Sequence, residues 1–285
     1  MTGARGSSDI AAALGVRLDG VRPVPGHRGQ RRTFFAHWDG EPVVAKWGLD
    51  EDLPAKIPYV AGQVPELSRR GIPAAPVLAH APMHGGGYAW LQPRLPGRPA
   101  DPGPALLAEL LAMLDRMRDA PPGEHRTDHN AWVAATVRDD LAGYWANTAA
   151  IGPTARALGE QVRAWATAQP PPPPASDYVH VDLNLGNVLV DGDTIVGLVD
   201  LENLGIGSPA VDAARLAYEW HAAGAPGLAD IIRYGRSCHG EAGWRYAVAY
   251  EVASRLGFRS EHMVDDDPAA DVDVAGGYFD AVRSG

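Results

Sequence analysis

Residues 178–200 are where chemistry and folding pattern are most tightly interleaved. Up to Val190 they read Tyr-Val-His-Val-Asp-Leu-Asn-Leu-Gly-Asn-Val-Leu-Val, so His180, Asp182 and Asn187 stand as polar side chains inside apolar runs. Polar groups placed like this must be paired or used, because burying one without a partner is costly. The runs from Asn187 to Val190 and from Thr194 to Asp200 have strand length and composition. The Asp191-Gly192-Asp193 between them is a hairpin turn signal. Such a hairpin returns the chain so that Asp200 lies close to the residues just ahead of Asn187.

Two carboxylates and an amide converging at one hairpin end match what magnesium-dependent phosphoryl transfer requires. Magnesium prefers hard oxygen donors and keeps some of its waters, so one Asn and one Asp suffice beside nucleotide phosphates. Asn187 and Asp200 are the candidate ligands. Asp182, not needed as a ligand, is the candidate base, accepting a hydroxyl proton and orienting the attacking oxygen. The scheme also needs a cation for the α- and β-phosphates. Lys46 and Lys56 are the only lysines in the chain, every other basic side chain being arginine. Lys46 closes the strand-like run Val43-Val44-Ala45-Lys46-Trp47 and is placed for that task.

The remainder divides into a strand-rich first third and a helix-rich remainder. Strands are expected at Val21–Val24, Thr33–Trp38 and Pro42–Trp47, the last two joined by an Asp39-Gly40 turn. A further pair is expected at Ala75–Ala79 and Tyr88–Gln92. Leu53–Arg70 predicts a helix that Pro54, Pro58 and Pro65 shorten or kink. Apolar residues at helical spacing then mark Leu106–Met117, Trp132–Trp145, Thr154–Ala168, Val211–Ala223 and Trp244–Leu256. Between the two parts, Pro93-Arg94-Leu95-Pro96-Gly97-Arg98-Pro99 reads as a hinge, and Pro170–Pro174 as a stiff spacer.

Charge and composition narrow the partners. A net charge of −10 argues against nucleic acid, which is bound through clustered positive charge, and favours a cationic ligand. No run reaches membrane-spanning length and no secretion signal is recognisable, so a cytoplasmic location with no membrane partner is expected. The single cysteine, Cys238, excludes an internal disulfide.

The pattern His180-x-Asp182-x4-Asn187, then Asp200, then Gly207-x-Pro209-x2-Asp212 resembles the aminoglycoside phosphotransferase and choline kinase-like family of protein-kinase-like small-molecule kinases. The resemblance runs from the Lys46 strand through the Leu95-Pro96-Gly97 hinge to Asp212. It implies an α+β, two-lobed, protein-kinase-like fold. Residues 1–95 would form an antiparallel nucleotide-binding lobe with its hinge at about 93–97, and residues 96–285 a larger helical lobe for catalysis and substrate. It further implies that Asp182 is the base, Asn187 and Asp200 hold Mg2+, and Lys46 binds the phosphates of ATP, with GTP as an alternative donor. His180 and Asp212 would support the catalytic loop. The hinge, through Arg94 and Leu95, would meet the nucleotide base.

Three departures accompany the resemblance. The acid expected early in the helix after Lys46 is replaced by Val60, Ala61, Gly62 and Gln63, leaving Glu51 and Glu66 at awkward offsets. The frequent Gly-Asp-Pro is here Gly207-Ser208-Pro209. The loop from Gly26 to Gln30 is not a kinase glycine-rich fingerprint, though its Arg28 and Gly29 are candidate phosphate neighbours.

The expected activity is transfer of a γ-phosphate to a hydroxyl of a cationic antibiotic, an aminoglycoside or a tuberactinomycin peptide of the capreomycin or viomycin type, conferring resistance. Glu202, Asp265 and Asp266 are candidate contacts for such a polycation. The alternatives are a metabolic kinase acting on choline, homoserine or a sugar, and a catalytically silent kinase-shaped binding module. The sequence leaves the acceptor hydroxyl and the oligomeric state open.

Overall fold

The computed structural model describes residues 7–24, 32–121, 127–262 and 268–284. Four residues singled out above, Arg28, Gly29, Asp265 and Asp266, lie outside them. The chain opens with α1 (Ser7–Leu14) and then β1 (Asp19–Pro23), β2 (Arg32–Trp38) and β3 (Glu41–Gly48). Helix α2 (Leu53–Arg69) leads to β4 (Ala79–Pro82) and β5 (Tyr88–Pro93). These strands make a five-stranded sheet in the order β1-β2-β3-β5-β4, with all neighbours antiparallel.

Alternation decides the two faces of that sheet. Val43, Ala45 and Trp47 of β3 point to one side and pack with Ile10 of α1, Ala36, Ala89 and Leu91. Lys46 falls on the opposite side, in register with Thr33 of β2 and Trp90 of β5.

The helical lobe begins after the two-residue strand β6 (Arg98–Pro99). It contains α3 (Pro104–Arg116), α4 (His129–Asp139), α5 (Tyr144–Ile151) and α6 (Pro153–Thr167). Short strands β7 (Asp177–Val179), β8 (Val188–Asp191), β9 (Thr194–Leu198) and β10 (Gly205–Gly207) follow, and then α7 (Ala210–Ala222), α8 (Leu228–His262) and α9 (Pro268–Ser284). The fold is α+β, an antiparallel sheet lobe against a mainly helical lobe. Its main core packs Leu110, Leu114, Tyr178, Leu216, Trp220, Trp244 and Phe279, all fully buried. Among the described residues no helix is long and apolar enough to cross a membrane.

Four elements differ from the expectations above. Helix α2 is continuous, because Pro58 and Pro65 both face solvent while Leu53, Ile57, Val60, Val64 and Leu67 form the buried stripe. Water can take the carbonyls that the prolines leave unpaired. The single helix expected over Trp132–Trp145 is two. Asp140 adopts the left-handed region (φ 58°), ends α4, and its carboxylate accepts from the Trp145 and Ala146 amides to start α5. The strand expected at Ala75–Ala79 forms four residues later, since the chain around Ala74 bridges Leu198 instead, the Ala75 amide donating to the Leu198 carbonyl and the Leu198 amide to the Pro73 carbonyl. Finally, Trp244–Leu256 is one part of α8, which carries non-helical backbone at His239 and Gly240, and α9 adds a closing helix.

Candidate active site

The β8–β9 hairpin is antiparallel, with Val188 opposite Leu198 and Asp191 opposite Thr194. Beyond the last pair, the Val199 amide donates to the Asn187 carbonyl at 3.0 Å. That bond sets Asn187 and Asp200 side by side at the hairpin's open end. Asp200 then takes a left-handed backbone (φ 60°, ψ 42°), a conformation Asp tolerates, and turns the chain into a short 3₁₀ segment, Leu201–Asn203.

Asp182 lies in the loop between β7 and β8, its side chain 37 % exposed. Its Oδ1 accepts from Asn184 Nδ2 at 3.0 Å and from Arg215 Nη2 at 2.5 Å. Its backbone carbonyl accepts from Asn187 Nδ2 at 2.8 Å, and the same nitrogen reaches Oδ2 at 3.3 Å. The amide nitrogen of Asn187 is thus directed at Asp182, which assigns its oxygen to the remaining side.

The loop is held from behind. Asp212, in the first turn of α7 and fully buried, accepts from the His180 amide and the Val181 amide, both at 2.8 Å. Burial pushes its carboxyl up to about 6, against the opposing pull of His180 and those two amides. His180 Nε2 donates to the Val199 carbonyl at 2.8 Å, tying the Asp182 loop to the residue before Asp200. Val181 sits at φ 68°, a left-handed conformation that a β-branched side chain rarely adopts. The cost is about 1–3 kcal/mol, and the Asp212 carboxylate bonds to both amides there.

Lys46 crosses from the sheet lobe to the Asp200–Asn203 segment that follows β9. Its Nζ meets Glu202 Oε1 at 2.7 Å and also pairs with Asp200 Oδ1. Burial works against its charge, but the Glu202 and Asp200 carboxylates outweigh it and hold the lysine above its usual pKa. Glu202, expected to meet substrate, is instead 5 % exposed and engaged by the lysine. It fills the acidic position that α2 leaves vacant, whereas Glu66 pairs with Arg69 and Arg70. The chain's other lysine, Lys56 of α2, reaches Asn203 Oδ1 at 3.2 Å, so both lysines fasten the same four-residue loop.

A third fastening comes from α4, where His129 Nε2 donates to the Asn203 carbonyl at 2.7 Å. Burial pushes this imidazole down to about 4. Between pH 6.5 and 4 the unfolded chain takes up a proton at His129 that the folded chain refuses. This group's contribution is therefore complete above pH 6.5 and is lost as pH falls toward 4, by about 3 kcal/mol. His129→Gln keeps an N–H donor without the titration. Urea unfolding at pH 7 and pH 4.5 should show a smaller acid-side loss in the variant than in the parent, and equal losses would refute the assignment.

At the hinge, the Arg94 amide donates to the Pro42 carbonyl at 2.9 Å, and its guanidinium lies 4.2 Å from the Phe35 ring centroid. Its N–H is therefore engaged by the sheet. Pro93 has no N–H, so Leu95 carries the remaining amide donor of that segment. The Leu95 side chain packs over Gly197 of β9, where an added Cβ would lie 2.9 Å from Leu95 Cδ1. Arg215 was not singled out from sequence. A lone arginine among Ala213, Ala214, Leu216 and Ala217 was the available signal.

Asn187 and Asp200 are hard oxygen donors set side by side, and the Asp200 carboxylate already holds a cation, the Lys46 ammonium. That donor set fits a magnesium ion shared with phosphate oxygens. Among the described residues no three His, Cys, Asp or Glu side chains gather into a separate metal cluster.

Comparison with known proteins gives the family and the fold. The family model of the phosphotransferase enzyme family (APH) matches residues 20–248. No curated protein matches the chain. Among solved structures, the apo form of a thermostable mutant of aminoglycoside phosphotransferase APH(4)-Ia superposes with a TM-score of 0.69 at 19 % identity, covering 98 % of this chain and 99 % of that one. A ternary complex of the same enzyme with ADP and hygromycin B gives 0.67 at 19 % identity, over 95 % and 96 %. APH(3'')-Id from Streptomyces rimosus ATCC10970, bound to ADP and streptomycin, gives 0.54 at 21 % identity, over 81 % and 91 %.

Proposed function

Because the chain belongs to the APH phosphotransferase enzyme family, we propose that it transfers the γ-phosphoryl group of ATP to a hydroxyl of a small cationic antibiotic. The observation that carries this reading is the meeting of Asp182, Asn187 and Asp200 at the open end of the β8–β9 hairpin, where Lys46 of the sheet lobe pairs with Asp200. In this reading the lobes divide at about residues 93–97, and the nucleotide lies between them, its base against the Leu95 amide.

Asn187 Oδ1 and the Asp200 carboxylate would hold magnesium, which would supply positive charge to the nucleotide phosphates. Lys46, steadied by Glu202, turns its ammonium to the phosphate oxygens. Asp182 orients the acceptor hydroxyl and takes its proton on Oδ2, the carboxylate oxygen less engaged by neighbours. The acceptor O–H bond breaks, the acceptor oxygen bonds to the γ-phosphorus, and the bond from that phosphorus to ADP breaks with its electron pair leaving on ADP. His180 and Asp212 keep the loop in place.

Support for a cationic acceptor comes from the net charge of −10 and from the hygromycin B and streptomycin held by the two similar enzymes. The acceptor class is an aminoglycoside or a tuberactinomycin peptide, with Asp265 and Asp266 as further contacts and Arg28 and Gly29 beside the phosphates. A silent binding module was motivated by the missing lysine partner, and Glu202 at 2.7 Å removes that motive.

The test is product mass after incubation with magnesium and either ATP or GTP against aminoglycosides, tuberactinomycins, macrolides, choline and homoserine. A gain of about 80 Da, one phosphoryl group, on a cationic antibiotic is the expected result. A gain on choline or homoserine alone would replace this reading with a metabolic kinase.

A further inference from the structure

Helix α7 presents an apolar run, Ala213, Ala214, Leu216 and Ala217, broken by Arg215. The arginine side chain is 16 % exposed, and its two terminal nitrogens point to different acids. Nη2 donates to Asp182 Oδ1 at 2.5 Å, while Nη1 donates to Glu251 Oε1 at 2.9 Å and Oε2 at 3.2 Å. Glu251, on α8, is buried and also accepts from Arg255 Nε at 2.7 Å. Arg255 in turn pairs with Glu219 of α7. Five charges of alternating sign thus run from the loop of Asp182 into the packing of α7 against α8.

Such a chain is a poor way to gain stability. Desolvating each ion costs several kcal/mol, and apolar residues of similar volume commonly do as well. Its geometry has a different product. Arg215 and Asn184 together hold Oδ1 of Asp182, which restrains the carboxylate and leaves Oδ2 with a single longer contact, 3.3 Å to Asn187 Nδ2. A guanidinium can do this because its rigid fork reaches two acids at once, whereas an ammonium is a single point charge.

We propose that Arg215 is the positioning residue of Asp182, anchored through Glu251 and Arg255 to the helical core, so that α7 and α8 set the direction in which the base faces the acceptor. This rests on the reading of Asp182 as the base. A positioning role acts on turnover through Asp182 and leaves magnesium-nucleotide binding alone.

The experiment uses the whole chain and release of ADP from magnesium ATP, with water as the acceptor. Arg215→Met is expected to lower turnover at least about thirtyfold, with KM for magnesium ATP within about twofold, since small misplacements of a reacting group carry losses of that size. Arg215→Lys, which keeps the charge and loses the fork, is expected to recover part of the turnover. In an Asp182→Asn background, Arg215→Met should add no further loss, because both changes remove one function.

A rise in KM parallel to the loss of turnover, or a loss that multiplies in the Asp182→Asn background, would overturn the proposal. Should Arg215→Met not fold, Arg215→Lys decides: reduced turnover at unchanged KM supports positioning, and parental turnover refutes it. If Asp182→Asn itself leaves turnover unchanged, it is the reading of Asp182 that fails, a result separate from any of these.

Discussion

Asp182→Ala should lower turnover by about 10²–10⁴-fold, the range expected when a positioned acid–base group is lost. The affinity for magnesium nucleotide should stay within about twofold, because Asn187, Asp200 and Lys46 are untouched. The fold should survive as well. Asp182 is 37 % exposed, and the Arg215 that it releases keeps both of its contacts to Glu251. Steady-state kinetics on the acceptor found in the panel, with the melting temperature measured alongside, check all three statements. Near-parental turnover would remove Asp182 from the chemistry, and a rise in nucleotide KM as large as the fall in turnover would move it to the nucleotide site.

Lys46→Met should damage both stability and nucleotide binding, and the two effects can be separated. Removing the ammonium leaves Glu202, 5 % exposed, without its cation, and deleting one partner of a buried pair costs about 3–5 kcal/mol. The same change removes the cation offered to the phosphates, so KM for magnesium ATP should rise by about tenfold or more. Adding Glu202→Gln to Lys46→Met removes the stranded charge. The double variant should regain most of the lost stability and none of the nucleotide affinity, as denaturant unfolding and nucleotide titration would show. Recovery of both properties together would mean that Lys46 acts only as a structural counter-ion.

Much of the architecture was legible along the chain because it rests on short-range rules. Apolar periodicity and turn residues located α3, α6 and α7 within two residues at either end. Asp39-Gly40 and Asp191-Gly192-Asp193 both mark hairpins that form, between β2 and β3 and between β8 and β9. Where the reading slipped, a longer-range fact decided. Pro58 and Pro65 argue against a continuous α2 only if the direction they face is ignored, and that direction depends on what α2 packs against. Nothing in the run Trp132–Trp145 outweighs its helical spacing until the Asp140 carboxylate caps the next helix.

The site divides along the same line. Asp182, Asn187 and Asp200 could be grouped from sequence because one hairpin, local in the chain, returns Asp200 to Asn187. Partners for Lys46 and Asp182 could not be assigned in that way. Glu202 lies 156 residues beyond Lys46, and Glu251 lies 36 beyond the Arg215 that holds it. Sequence by itself determined which residue types are on offer for phosphoryl transfer and the order in which they occur. Only the tertiary structure decided which charges neutralise one another, since pairing depends on distance in space between elements packed face to face. Glu202 therefore pairs with the lysine, and Asp182 acquired a guanidinium from a helix whose sequence reads as core.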